Sequence, residues 1–378
     1  MTTPASRSGP LAGKRILEIG HMLAGPYCGM LLADMGAEVI KIETGDGDIS
    51  RQVGPNYVGE HNAYFASLNR GKKGITLDIQ CPEDRHEFYR LVANADALVS
   101  NLRPRAILKL GLTYDDLKHI NPKLVCVALT GYGLGGPYSD MPAYDYVIQA
   151  LCGIAMLTGN PESPPTRVGY SVVDNTGGMM AVIGMLAKLL EGKGGQLDIS
   201  LYDTMLSQLN YLASAWLNAS ESPTRQPDGG HAYIVPAQFF ETNDGYIALF
   251  ITHDKFWTLF ASEAKQEHWI KDERFATMES RSLNRDLVLE SVKAVLQTDS
   301  SDSWVARLQP LGVVCAGVRS LTDALEDEHT RFRDMVISVA SDQGIIKLVG
   351  NPVKIVGDKQ QFSPPPLLGE HNQSILGR

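Results

Sequence analysis

Over roughly the first 200 residues, short apolar strand-like segments alternate with longer helix-like ones. That alternation restricts the N-terminal half to a parallel sheet with helices packed on its faces, because consecutive parallel strands need a right-handed crossover between them. Lys14-Arg-Ile-Leu-Glu-Ile-Gly20 reads as a strand, Pro26 to Met35 as a helix of small residues, and Glu38-Val-Ile-Lys-Ile-Glu43 as a second strand. The segments Gly74-Ile-Thr-Leu-Asp78, Asp96-Ala-Leu-Val-Ser100, Leu124-Val-Cys-Val-Ala-Leu129 and Gln196-Leu-Asp-Ile-Ser-Leu201 continue the pattern. Helices are expected at about 83–94, 114–120 and 175–191, and from Tyr202 to about Ser220. The fold class is α/β, with a Rossmann-like, doubly wound parallel sheet.

A chain of 378 residues exceeds what one core fills, so a second domain is expected. Residues 1–220 form the large domain on this reading, and 221–230 a linker containing Pro223, Pro227 and the turn Asp228-Gly229-Gly230. Residues 231–330 form a smaller α+β domain, whose Asn243-Asp244-Gly245 turn separates two apolar strands of a hairpin. The tail, 331–378, carries Ile345–Gly350 and Val353–Val356 and returns to pack on the large domain, or else completes the second.

Hydrophobic content of 44% and charged content of 20% describe an ordinary globular composition. The apolar run 179–190 is interrupted by Gly184 and Lys188, and residues 1–10 lack the apolar core of a secretory signal. A cytosolic protein without membrane contact is expected. The five cysteines are scattered, mostly in apolar runs, and read as reduced core residues. The nine histidines show no metal-ligand spacing. A net charge of −9 argues against nucleic-acid binding, so an anionic ligand would need local basic clusters. Two exist. Asn69-Arg-Gly-Lys-Lys73 precedes a strand and Arg103-Pro-Arg-Ala-Ile-Leu-Lys109 follows one; they could gather around a phosphate-bearing ligand or be solvated loop charges. Dinucleotide binding is disfavoured: the glycines after the first strand do not make G-x-G-x-x-G, and Gly131-Tyr-Gly-Leu-Gly-Gly136 leads into Pro137.

Asp174, in Val172-Val-Asp-Asn-Thr-Gly-Gly-Met-Met180, lies where an apolar stretch hands over to a long helix. A carboxylate in that position suits a nucleophile held ionised by the helix dipole, and equally a simple N-cap. Tyr144-Asp145 is a second polar pair, at the start of another helix.

Together these segments resemble the family III CoA-transferases, which include formyl-CoA transferase and carnitine CoA-transferase. The resemblance is carried by Ile19-Gly-His-Met-Leu-Ala-Gly-Pro26, Leu32-Ala-Asp-Met-Gly-Ala-Glu-Val-Ile-Lys-Ile-Glu43, Asn69-Arg-Gly-Lys72, Asn101-Leu-Arg-Pro104 with Leu110-Gly-Leu112, Tyr144-Asp145 with Gln149-Ala150, and Leu368-Gly-Glu-His371. It implies that Asp174 is the catalytic aspartate. The carboxylate attacks a donor thioester to give a mixed anhydride and CoA thiolate; the thiolate returns to form an aspartyl-CoA thioester, and an acceptor acid repeats the steps in reverse. The resemblance places CoA contacts at Leu23 and Ala24, Lys72, Asn101 and Leu102, Lys109, and Tyr144 with Asp145. It also implies an interlocked homodimer; no metal and no NAD are expected from the spacings above.

Formyl-CoA transferase has glutamine where this chain has Leu23, arginine at about Thr44, and a four-glycine loop of which Gly229-Gly230 is a partial counterpart. These departures argue against an oxalate-like or formyl substrate. A succinate-like dicarboxylate follows family habit, with carnitine-like and aromatic acids as alternatives. The rival activity is that of the α-methylacyl-CoA racemase branch, which carries a His-Asp pair where this chain has Tyr144-Asp145 and so has a histidine for proton transfer. A non-catalytic CoA-binding paralogue is the third reading.

Overall fold

The computed structural model describes residues 8–357 and 360–378. Met1–Arg7, most of the N-terminal stretch judged against a secretory signal, lies outside them. Within the described residues, no helix is long and apolar enough to cross a membrane, and no cluster of His, Cys, Asp or Glu could hold a metal.

Contacts divide the chain into two units. The first comprises the chain through Cys152, Gly169–Leu209 and Leu325–Arg378, and the second Gly153–Val168 and Asn210–Ala324. The sequence reading had placed 153–168 and 210–220 in the large domain.

In the first unit, β1 (Arg15–Ile19), β2 (Glu38–Glu43), β3 (Lys73–Thr76), β4 (Ala97–Ser100), β5 (Val125–Thr130) and β6 (Gly195–Ser200) form one sheet in the order β3-β2-β1-β4-β5-β6. Every pairing is parallel. Nearly every residue of β4 and β5 is buried, as expected of strands covered on both faces. The order reverses between β1 and β4, and such reversals open a crevice at the carboxyl ends of the strands. Helices α1 (Ala24–Asp34), α2 (Ala63–Asn69), α3 (Pro82–Val92), α4 (Pro104–Leu110), α5 (Asp145–Leu151), α6 (Val172–Glu191) and α7 (Leu201–Gln208) connect or flank the strands. Gly131–Gly136 forms a loop after β5, tied to β6 by Asp198 accepting from Leu134 N, and opens no helix.

The single helix expected from Tyr202 to Ser220 is two: α7, and α8 (Asn210–Ala219) in the second unit, separated where Asn210 takes φ +21°. The second unit carries an antiparallel sheet of β7 (Ala237–Glu241), β8 (Tyr246–Phe250) and β9 (Val314–Gly317), with the expected hairpin turn between β7 and β8. Its core stacks Trp257, Trp269 and Phe275. Arg225 ties 153–168 into this unit by donating to the carbonyls of Ala155, Asn160 and Ser163. In the tail, β10 (Val336–Ser341) pairs with β11 (Gly344–Val349) and buries Ile337, Val339, Ile346 and Leu348 with Ala66 of α2. Val353–Val356 is not a strand.

Candidate active site

Helix α1 follows β1 directly, so its first turn stands at the carboxyl edge of the sheet. Helix α6 packs on it so closely that a Cβ at Gly178 would lie 2.8 Å from Ala24 O. The first turns of the two helices are thereby held side by side.

Asp174 is the third residue of α6, which begins at Val172 instead of near 175 and follows coil, not a strand. It is not the N-cap. That position belongs to Ser171, whose side chain makes no capping bond, and the capping is done from another helix by Asp145. Asp145 Oδ2 accepts from Val173 N at 2.9 Å and Oδ1 accepts from Gln149 Nε2 at 2.6 Å. Burial and then the Asp145 carboxylate push the Asp174 carboxyl up to about 7. The expectation that the helix dipole keeps Asp174 fully ionised is therefore corrected: desolvation and a like charge outweigh the first turn, part of whose donor capacity Asp145 already takes. Tyr64 of α2 lies in the same negative field; burial, followed by Asp174, Asp48 and Asp145, raises its hydroxyl.

The loop from Gly20 to Leu23 is clamped on several sides. Asn101 accepts from His21 N and donates to His21 O, and a Cβ at Gly20 or Gly25 would collide with its side chain. Asp48 accepts from Met22 N, which steadies a left-handed Met22 at φ +63°. Lys41 donates to Gly20 O.

Beneath the loop lies a buried ionic network that sequence reasoning missed. Glu18 pairs with Lys41 at 2.9 Å and with Lys72 at 2.7 Å, Lys41 also pairs with Asp48 at 2.9 Å, and Glu43 pairs with Arg51 at 2.7 Å. Burial opposes the Lys41 charge, but Glu18, Asp48 and Glu43 outweigh it and the net shift is upward. Asp48 is held down at about 2: burial opposes its charge, and Lys41 with the Met22 and Ser50 amides prevails. Lys72 falls to about 8, chiefly through burial. A Cβ at Gly29 would meet Glu18 Oε2, so glycine lets α1 rest directly on these charges.

The proposed CoA contacts divide accordingly. Lys72 is 3% exposed, and its amine donates to Pro26 O and Asn69 Oδ1 besides pairing with Glu18; it supports α1 from below and presents no free cation. Arg70 is likewise buried, bidentate on Asp34, and the partly exposed Lys73 pairs with Glu38, so each cation of Asn69–Lys73 is engaged within the fold. Ala24 is buried against α6, while Leu23 is half-buried at the start of α1. Asn101 clamps the loop. Leu102 lines a crevice of about 200 Å³ with Gly20, His21, Thr44 and Leu110 at the carboxyl ends of β1, β2 and β4. Lys109 and Arg103 are exposed, and Arg105 pairs with Asp140. Tyr144 is 63% exposed, whereas Asp145 is 5% exposed and fully engaged. The structure thus brings Leu23, Ala24, Asn101 and Lys72 together around the start of α1, and Asp145 to the start of α6. It does not bring Lys109 into that group.

Comparison with known proteins finds relatives along nearly the whole chain. The profile of CoA-transferase family III matches residues 11–372. Acetyl-CoA:oxalate CoA-transferase of Acetobacter aceti is 33% identical over 99% of this chain and 97% of its own length. Succinate–glutarate CoA-transferase of Agrobacterium fabrum is 30% identical over 100% of this chain and 97% of its own. Among solved structures, a CAIB/BAIF family protein from Brucella suis superposes with a TM-score of 0.86 at 33% identity, covering 98% of this chain and 99% of that one.

Proposed function

The chain belongs to the family III CoA-transferases and is an enzyme of that class, and from that premise we propose that Asp174 is the nucleophile that accepts the acyl group from a CoA thioester. The observation that carries this reading is the position of Asp174: in the first turn of α6, held against α1, with a carboxylate left free of hydrogen bonds among the described residues. A carboxyl near 7 is ionised in about half the molecules at neutral pH, and its higher basicity makes the ionised fraction a stronger nucleophile than an ordinary aspartate. Asp174 is only partly exposed, which limits the access of water to a mixed anhydride. Attack expels CoA thiolate; return of the thiolate releases the first acid and leaves an aspartyl-CoA thioester, from which the acceptor acid recovers CoA by the reverse steps. Asn101, Asp48 and Lys41 hold the adjoining loop in one conformation, so its amides need little reorganisation during the reaction. The crevice lined by Leu102 is the proposed seat of part of CoA, with Arg103 and Lys109 offering exposed cations to its phosphates.

The interlocked homodimer remains part of this proposal. Leu190, Leu217 and Trp216 are 90%, 78% and 55% exposed, apolar surface of the kind a second copy covers.

A carboxyl near 7 also suits a proton-transferring acid, the role a racemase needs. That reading lacks its second group, because exposed Tyr144 stands where the histidine would be. Incubating the enzyme with paired acyl-CoA donors and carboxylic acids in deuterated water separates the two. New thioesters lost in Asp174→Ala support transfer; α-deuterium uptake without new thioesters supports racemisation.

A further inference from the structure

At the edge of the large sheet opposite the crevice, where β1, β4 and β5 begin, the first unit holds a cavity of about 420 Å³, within the range of small-molecule sites. Four lysines line it: Lys14, Lys123, Lys188 and Lys193. They come from three separated stretches of a chain whose net charge is −9. Helix α6 carries Asp174 in its first turn and Lys188 in its last, about 21 Å further along the axis, so this cavity stands apart from the proposed reaction.

Local structure draws the lysines together. The chain leaves α6 through a left-handed Gly192 at φ +73°, and a Cβ at Gly194 would collide with Pro122 O, so only glycine lets this turn rest on the one that carries Lys123. Asn121 fixes that second turn: its Nδ2 donates to Val92 O and Ala95 O, and its Oδ1 accepts from Lys123 N. Lysines near helix ends commonly complement the terminal carbonyls, but here backbone and amide donors already serve them. Asn121 and Asn94 N hold Val92 O and Leu91 O at the end of α3, and Gly192 N serves Lys188 O and Leu189 O at the end of α6.

Carboxylates answer only part of the charge. Lys14 pairs with Asp96 at 2.9 Å, while Lys188 and Lys193 share Glu191 at 2.6 and 3.5 Å. These are solvent-accessible pairs of small worth, which a more highly charged anion displaces. Lys123 has no carboxylate within ion-pair range among the described residues. Ammonium groups on long, separately rooted stems suit the several oxygens of a phosphate chain, and no aromatic ring lines the cavity to stack on a nucleotide base. We propose that this cavity binds a compact oligophosphate, of which pyrophosphate is the smallest. The assignment does not depend on the transferase reading.

Calorimetric titration of the full chain with inorganic pyrophosphate at low ionic strength tests it. Pyrophosphate should bind saturably, at least roughly tenfold more tightly than orthophosphate, and more weakly as salt is raised to about 0.2 M. Lys123→Ala/Lys193→Ala changes two exposed side chains and should weaken pyrophosphate at least roughly tenfold, with circular dichroism confirming that the variant folds. Two other pairs, Lys255→Ala/Lys271→Ala in the second unit and Arg103→Ala/Lys109→Ala beside the crevice, should change the affinity by less than about twofold. A wild type that takes up no pyrophosphate would overturn the proposal, as would orthophosphate binding equally tightly. So would an affinity that falls alike in all three pairs, which marks diffuse attraction to surface cations. Loss confined to Arg103→Ala/Lys109→Ala would also overturn it, by placing the anion at the crevice.

Discussion

Asp174 and Asp145 divide two tasks that a lone aspartate at a helix start would have to combine. Asp145 satisfies Val173 N, leaving Asp174 free for chemistry, and its charge holds the Asp174 proton more tightly. The acid limb of kcat/KM should therefore fall near pH 7 instead of in the usual carboxyl range. Asp145→Asn keeps an acceptor for Val173 N and removes the charge, so the limb should move down by about one unit. A pH–rate profile checks both. Stability follows the same proton. The folded protein binds it more strongly than the unfolded chain, so the associated stability is full below the ordinary value of 3.8 and is lost as pH rises through about 7. Asp174→Asn escapes that loss. Its stability relative to the parent should rise by about 2 kcal/mol from pH 4 to pH 8, allowing for partial solvent screening, as denaturant midpoints would show. Position 174 was legible as a candidate because carboxylate, glycines and helix adjoin it in the sequence. Its protonation was not, because the residue that shifts it is distant in the chain.

At the scale of elements, the start of α1 depends on contacts from β1, β2 and β4. Asn101→Ala removes both bonds to His21 and should cost about 1–2 kcal/mol, with an additional loss in kcat if the loop positions reacting groups. Lys41→Met leaves Asp48 buried without an ion-pair partner and Glu18 with Lys72 alone, and should cost about 3–5 kcal/mol. Asp48→Asn in that background should recover part of the loss, a coupling that a double-mutant cycle measures. β4 and β5 were readable because strands buried on both faces are apolar throughout, and the other four because short apolar runs recur between turn-forming segments. The network was not: in the sequence Lys41 and Glu43 merely alternate with apolar neighbours, and nothing there shows that α1, resting on Gly29, covers the adjacent charges. The burial of Lys72 was hidden in the same way, since it depends on which helix lies overhead. Asn210 supplied no helix breaker as strong as proline, so the division of the chain there was hidden.

For the whole molecule, the chain of 41.2 kDa should sediment at twice that mass if the exposed apolar surface is a subunit interface. A monomer at micromolar concentration would remove the homodimer from the account. The order of family segments along the sequence made the enzyme class legible, but not the acid, because a binding pocket gathers side chains from separated stretches of chain. The central claim is that Asp174 bonds covalently to the acyl group and then to CoA. Intact-protein mass after mixing with an acyl-CoA donor, followed by hydroxylamine and peptide mapping, tests it directly. The prediction is a CoA-sized adduct that hydroxylamine converts to a hydroxamate on Asp174, with none in Asp174→Ala. Modification elsewhere, or undiminished transfer by the variant, would contradict it.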